Sequence, residues 1–243
     1  MANKKNEWIF ESQERLGEIV REIDIEVPLR SGGRTKDHTE RYCVARLLLT
    51  MPVRLLGFPM ILRHLDRPDF VLVTQNGEIG IEHTEVISPN VAHAAFLREK
   101  GFGPDVYPRS PAFAGEPIKT ADELIQEIED DSMGDGWSGD SVEREWVAAM
   151  VHCINRKISK TRLNGFSRYE RNWLLLYDNW GGAALNFRLA ISLLMPLLIG
   201  DDVYSVFDKI IIMEDRTMCS LDGTAIFYSV SNPKDRPGDQ ANC

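Results

Sequence analysis

RPDFVLVTQNGEIGIEHTEV, residues 67–86, carries the strongest structural signal in this chain. Two apolar runs, 70–73 and 79–81, flank Asn76-Gly77, a pair favoured in tight hairpin turns because both residues tolerate positive φ. The spacing therefore predicts two antiparallel strands. Asp69 stands at the mouth of the first and Glu82 follows the apolar run of the second. Side chains alternate along a strand, so Glu82 shares a face with Glu78, Gly80 and Thr84, while Ile79 and Ile81 take the other. A twisted pair brings the two carboxylates together, beside a glycine that would let a ligand approach. Converging hard oxygens of this kind suit a divalent cation.

Pro68-Asp69, then twelve residues, then Glu82-His83-Thr84 resembles the core motif of the PD-(D/E)XK nuclease superfamily, the restriction-endonuclease-like fold. The resemblance covers about twenty residues closely, and the order of the surrounding elements more loosely. It implies an α/β fold in which a central mixed β-sheet is flanked by helices. It also implies that Asp69, Glu82 and the backbone carbonyl of His83 hold Mg²⁺ or Mn²⁺. The chain departs from the motif at Thr84, where the family has lysine. Members of the family vary there and bring the basic group from a neighbouring helix.

Working outward from the hairpin, Glu40 opens a helix expected over residues 39–51, with Thr39 as its cap. An acid near a helix N-terminus complements the macrodipole in any protein. The resemblance adds that such a glutamate often reaches the metal, which makes Glu40 the third acid. Lys157 and Lys160 lie three apart on a helix expected over 141–163, so they share a face. That helix precedes a short apolar strand, WLLLY at 173–177. By the resemblance, one of the two lysines replaces the cation missing at Thr84, and the spacing does not choose between them. Arg156, Arg162, Arg168 and Arg171 are then candidates for phosphate contact. His83 and Glu85 point away from Glu82.

Composition narrows the alternatives. With 243 residues, 43% apolar and 27% charged, the chain has the make-up of an ordinary globular protein with length for a real core. The expectation is a single nuclease-like domain spanning 1–243, with a helical N-terminal segment at 1–36 and a frayed tail at 231–243. Cys43, Cys153, Cys219 and Cys243 show no CxxC and no regular spacing, which argues against a disulfide framework or a zinc ribbon. MANKKNEWIF has no apolar signal region, and the apolar stretch 183–199 is interrupted by Asn186, Arg188 and Pro196. A cytoplasmic protein without a membrane span is expected. The histidines form no HExxH, and neither a GxxxxGK[ST] loop nor a GxSxG elbow is present.

The net charge of −9 opposes a polyanionic partner as a global field, but the charge is unevenly distributed. Residues 119–140 hold eight Asp or Glu against one Lys, whereas 141–172 hold seven Lys or Arg against three Glu. A basic strip beside a metal site is sufficient for a phosphodiester.

Periodicity predicts helices at 7–23, 39–51, 90–100, 120–131, 141–163 and 183–198, with a capping box at Thr120 and Glu123. Strands are expected at the hairpin, at 173–177 and 207–213, and at an edge over 224–230. Loops fill 28–36, 101–119 and 131–140, and a connector fills 52–67. The resulting expectation is a Mg²⁺-dependent nuclease acting on nucleic acid, DNA ahead of RNA, by metal-activated water. The chemistry would rest on Asp69, Glu82 and Lys157 or Lys160, with room for a homodimer or a protein partner. Two other readings stand beside it: a catalytically inactive protein of the same fold serving as a binding or assembly module, and a different metal-dependent hydrolase acting on a small substrate.

Overall fold

The computed structural model describes residues 6–104, 112–130, 137–163, 167–180 and 184–231. The expected tail from 232 onward, the centre of the 101–119 loop and most of the 131–140 loop lie outside these residues.

One mixed eight-stranded sheet organises the chain, and its strands lie side by side in chain order. The 67–86 hairpin is present as β3 (Phe70–Thr74) and β4 (Gly77–Val86), in the register Phe70↔Ile81 to Thr74↔Gly77. Its turn residues are Gln75 and Asn76 rather than Asn76 and Gly77, because of the two only Gly77 has positive φ (+99°). That placement fits a turn closed by a glycine bulge. The Thr74 hydroxyl accepts from the Asn76 N–H and donates to the Gly77 carbonyl, locking the corner.

Upstream, two strands appear where the sequence suggested helix and connector. β1 (Glu7–Phe10) occupies the start of the expected 7–23 helix, and only the short α1 (Leu16–Val20) remains of it. Trp8 and Phe10 are buried while Ile9 is 54% exposed, an alternation of period two that four residues cannot distinguish from a helical face. β2 (Met60–His64), inside the expected connector, pairs antiparallel with β1 and β3. The short α3 (Val53–Leu56) precedes it.

α2 (Lys36–Thr50) begins three residues earlier than expected. Thr35 is its N-cap, and the Thr35 N–H donates to His38 Nδ1 at 3.0 Å. The Thr39 hydroxyl instead donates back to the Lys36 carbonyl. α4 (Pro89–Glu99) is capped by Ser88 and stops before Gly101 at φ +98°. α5 (Ala121–Asp130) shows the expected box, with the Thr120 N–H donating to Glu123 Oε2 at 2.7 Å. α6 (Ser141–Thr161), β5 (Arg171–Asp178) and α7 (Phe187–Gly200) follow near their expected places. β6 (Lys209–Met213), β7 (Thr217–Leu221) and β8 (Ala225–Ser229) complete the sheet; β7 was not anticipated, and β8 lies at the edge as expected.

β4, β5 and β6 run parallel to one another and the remaining neighbours are antiparallel. The crossovers carry helices to the sheet faces, as parallel strands require. On one face α1 and α2 pack Leu47, Leu48 and Ile19 against Phe70, Ile81, Trp173 and Ile211. On the other, α6 and α7 pack Trp146, Met150 and Leu194 against Leu174, Leu176 and Ile212. Both faces of β5 are therefore buried, and WLLL carries no exposed position at its centre. α4 and α5 share a small separate core of Leu97, Leu124 and Ile128. Among the described residues no helix is long and apolar enough to cross a membrane; α7 is a core helix.

Candidate functional site

β4 continues past its antiparallel partner. β3 pairs with it only as far as Ile81, while β5 pairs with it through Val86, so residues 82–86 have a free edge where β3 begins. Asp69 sits at that opening and Glu82 is the first β4 residue beyond the pairing. The His83 N–H turns to the free edge and donates to Asp69 Oδ2 at 2.7 Å. Along a strand the N–H and C=O of one residue share an edge, so the His83 carbonyl also faces the opening. This follows from the hairpin register alone: a slip by one residue would put Glu82 on the opposite face.

Two lysines approach the carboxylates from opposite layers. From α6, Lys157 Nζ lies 2.7 Å from Glu82 Oε2 and 3.7 Å from Asp69 Oδ2. From the first turn of α2, Lys36 Nζ lies 2.5 Å from Asp69 Oδ1 and 2.7 Å from Glu40 Oε1. The proximity of Asp69, Glu82 and one lysine that the motif implies is therefore present, with Lys157 as that lysine. Lys160, one turn on, makes no ion pair with either carboxylate but lines the same opening. Thr84 lies on the Glu82 face, and Lys157 brings to that face the ammonium that Thr84 lacks.

Lys36 and His64 were not anticipated as site residues. His64 Nε2, on β2, lies 2.8 Å from Glu40 Oε2 and 3.4 Å from an Asp37 oxygen, and its ring stacks on Phe70 at 4.4 Å. Asp37, Glu40 and His64 each offer a ligand atom, all within 4.8 Å of one another. Two signals pointed here: Lys36 and Glu40 are spaced i,i+4, and Asp37 and Glu40 are spaced i,i+3. Both were missed because the helix was read as starting at Thr39.

Burial and charge move the two central carboxyls apart. Burial works to raise Asp69, but the Lys157 charge, the Lys36 hydrogen bond and the His83 N–H outweigh it and hold the group below its usual 3.8. Glu82 is pushed above its usual 4.5, by burial first and by the Asp69 charge, against the pull of Lys157. Lys36 is raised despite its own burial by its bonds to Asp69 and Glu40. Neighbouring acids shifted in opposite directions occur at functional sites and in structural ion-pair networks alike. The His83 imidazole is driven down to about 3 by complete burial and is neutral at ordinary pH.

The remaining candidates divide clearly. Arg156 lines a cavity beside the site. Arg171 Nη2 donates to the Asn76 carbonyl and braces the hairpin turn. Arg162 and Arg168 are exposed and form no ion pair with Asp69 or Glu82. Glu85 accepts from Arg30, Arg34 and Asn179. Gly80 does not open onto a ligand: an added Cβ would stand 2.8 Å from the Tyr169 ring and 3.2 Å from Pro68, so its lack of a side chain accommodates those residues. Trp180 is buried in the core formed with α6 and α7, and Trp137 donates its indole N–H to Glu145.

Among the described residues, Asp37, Glu40 and His64 form the group whose ligand atoms lie close enough to hold one metal ion, while Asp69, Glu82 and Glu40 supply hard oxygens. Ammonium groups already lie within hydrogen-bond distance of each, and the positive charge is shared among oxygens from three separate elements. Comparison with family models, curated proteins and solved structures returns no match for this chain.

Proposed function

We propose that the protein is a metal-dependent nuclease of the restriction-endonuclease-like fold, hydrolysing phosphodiester bonds of DNA or RNA. One observation carries the reading: Lys157 reaches Glu82 and Asp69 together, at the free edge of β4. A hairpin with two acids is common; a helical lysine delivered onto both of them from another layer supplies the cation that the resemblance calls for. The mixed eight-stranded sheet flanked by helices supports the reading, in which α2, β2 to β4, α6 and β5 would form the core.

In this reading Asp69, Glu82 and the His83 carbonyl would hold Mg²⁺ or Mn²⁺, with Glu40 assisting. The ion would lower the pKa of an attacking water and offset charge on the phosphoryl oxygens. Lys157 stabilises the charge that develops on those oxygens and orients the water by donating hydrogen bonds. The His83 N–H fixes the orientation of the Asp69 carboxylate. Lys36 pairs with Asp69 and Glu40 and would be the group a bound cation displaces. His64 holds the second oxygen of Glu40.

The test is cleavage of plasmid, single-stranded DNA and RNA with Mg²⁺ or Mn²⁺. Wild type is compared with Asp69→Asn, Glu82→Gln, Lys157→Ala and Lys160→Ala. Metal-dependent cleavage abolished by the two carboxylate changes is expected. Lys157→Ala should cost about 10²–10³-fold, the usual scale for one transition-state donor, and Lys160→Ala less than about tenfold. Wild type that neither cuts nor binds Mn²⁺ would leave the protein as a binding or assembly module built on the same sheet.

A further inference from the structure

A cavity of about 450 Å³ opens beside the carboxylates, against the free edge of β4. Its walls carry Arg30, Arg34 and Lys36 on one side and Arg156, Lys157 and Lys160 of α6 on the other. A second cavity, of about 410 Å³, contains Asp69 and Glu82 and shares Lys36, Lys157 and Lys160 with the first. The three lysines thus line both the compartment that holds Asp69 and Glu82, which also carries Asp66 and Arg67, and the basic one.

Charge in the basic compartment is not balanced from within. Lys36 and Lys157 are paired with the acids of the other cavity. Arg30 and Arg34 converge on a single oxygen of Glu85, at 2.7 and 3.2 Å. Arg156 and Lys160 have no anionic partner among the described residues, so six cations face one lining carboxylate. Hydrogen-bonding capacity is left over as well. Arg34 Nε and both ring nitrogens of His83 are buried without a partner, and both residues line this cavity. Buried donors are rarely left unpaired, and an anion with several acceptor oxygens would satisfy the Arg34 Nε–H and the one N–H of the neutral His83 ring.

We infer that this basic cavity binds a second phosphate of the strand being cut, adjacent to the one held at Asp69 and Glu82. The inference rests on the nuclease reading and adds to it the contact that positions the strand. The cavity is larger than a phosphate ion needs, and its volume lies in the usual range for small-ligand sites, roughly 300–1,000 Å³. Ile87, Pro89 and Cys153 supply less polar wall where the attached nucleoside would lie. The phosphate is either internal to the strand or at its end, and the chemistry of recognition is the same for both.

The experiment measures binding of the full chain to short single-stranded oligonucleotides by fluorescence anisotropy in EDTA, where hydrolysis cannot occur. Three forms are compared: hydroxyl at both ends, 5′-phosphorylated and 3′-phosphorylated. Variants are Arg156→Ala and Arg156→Glu, on an exposed helical position where neither should disturb folding. Arg156→Ala is expected to weaken binding about tenfold and to reduce the salt slope by about one, and Arg156→Glu to weaken it further. Mn²⁺ affinity should be unchanged in both. Tighter binding of one phosphorylated form identifies a strand end, and equal binding of all three identifies an internal phosphate. No binding of any form, or affinity and salt slope unchanged in both variants, overturns the inference. Cleavage with Arg156-independent binding would remove this inference alone. Arg156-dependent binding without cleavage would keep the phosphate pocket and remove the nuclease reading.

Discussion

Asp69 is buried to 1% exposure, and a lone carboxylate so placed would cost several kcal/mol. The His83 N–H, Lys36 and Lys157 are what make it tolerable. Glu82 is less completely compensated, and its raised pKa gives the pH dependence a definite sign. Its folded value lies above the unfolded one, so its contribution to stability is fully present below 4.5 and is lost as pH rises through the folded value. Metal binding requires the ionised form and runs the opposite way. Mn²⁺ affinity, measured by calorimetry from pH 8 downward, should weaken at a pH above 4.5 as Glu82 takes up its proton. A profile that stays flat down to 4.5 would mean that Glu82 is not a ligand. Asp69, held below 3.8, remains ionised throughout that range.

At the level of elements, length decided which patterns were legible. α2, α6 and the hairpin each repeat their period often enough to be read from the sequence. β1 and β2 are four and five residues long and do not. In β1, Trp8 and Phe10 face the core while Glu7 and Ile9 face solvent, and the apolar Ile9 completed a false helical stripe with Leu16 and Ile19. The strand assignment predicts a sharp contrast between adjacent residues. Trp8→Ala should cost about 3–5 kcal/mol in urea unfolding, and Ile9→Ala no more than about 0.5 kcal/mol. Comparable losses at both positions would contradict the alternation. The start of α2 shows the same limit at a single residue. Thr35 and Thr39 are both plausible caps by composition, and only the backbone shows that Lys36 lies inside the helix, one turn before Glu40.

For the whole molecule, the net charge of −9 and the basic cleft are compatible because the excess acid lies elsewhere, while α2, α6 and the 30–34 segment place their cations around one opening. Since the candidate ligands come from three elements, a bound ion should tie those elements together and stabilise the fold. Mn²⁺ at about one hundred times its Kd should add about 2.7 kcal/mol, raising Tm by about 5–10 °C over EDTA. Glu82→Gln should abolish the rise; a rise that persists in that variant would place the ion elsewhere, with Asp37, Glu40 and His64 the first group to test. The sequence by itself determined the hairpin and that Glu82 lies on the face opposite Ile79 and Ile81, because strand alternation and a turn glycine are local properties; the register came only with the structure, which closes the turn on Gln75 and Asn76. The sequence also determined the helices long enough to show a period. Tertiary structure alone decided that Lys157 rather than Lys160 meets the carboxylates, that Lys36 meets Asp69 and His64 meets Glu40, and that a basic cavity adjoins them. Those contacts join residues 33, 75 and 88 positions apart, or 24 for His64 and Glu40, and no local pattern records which side chains meet when helices close over a sheet.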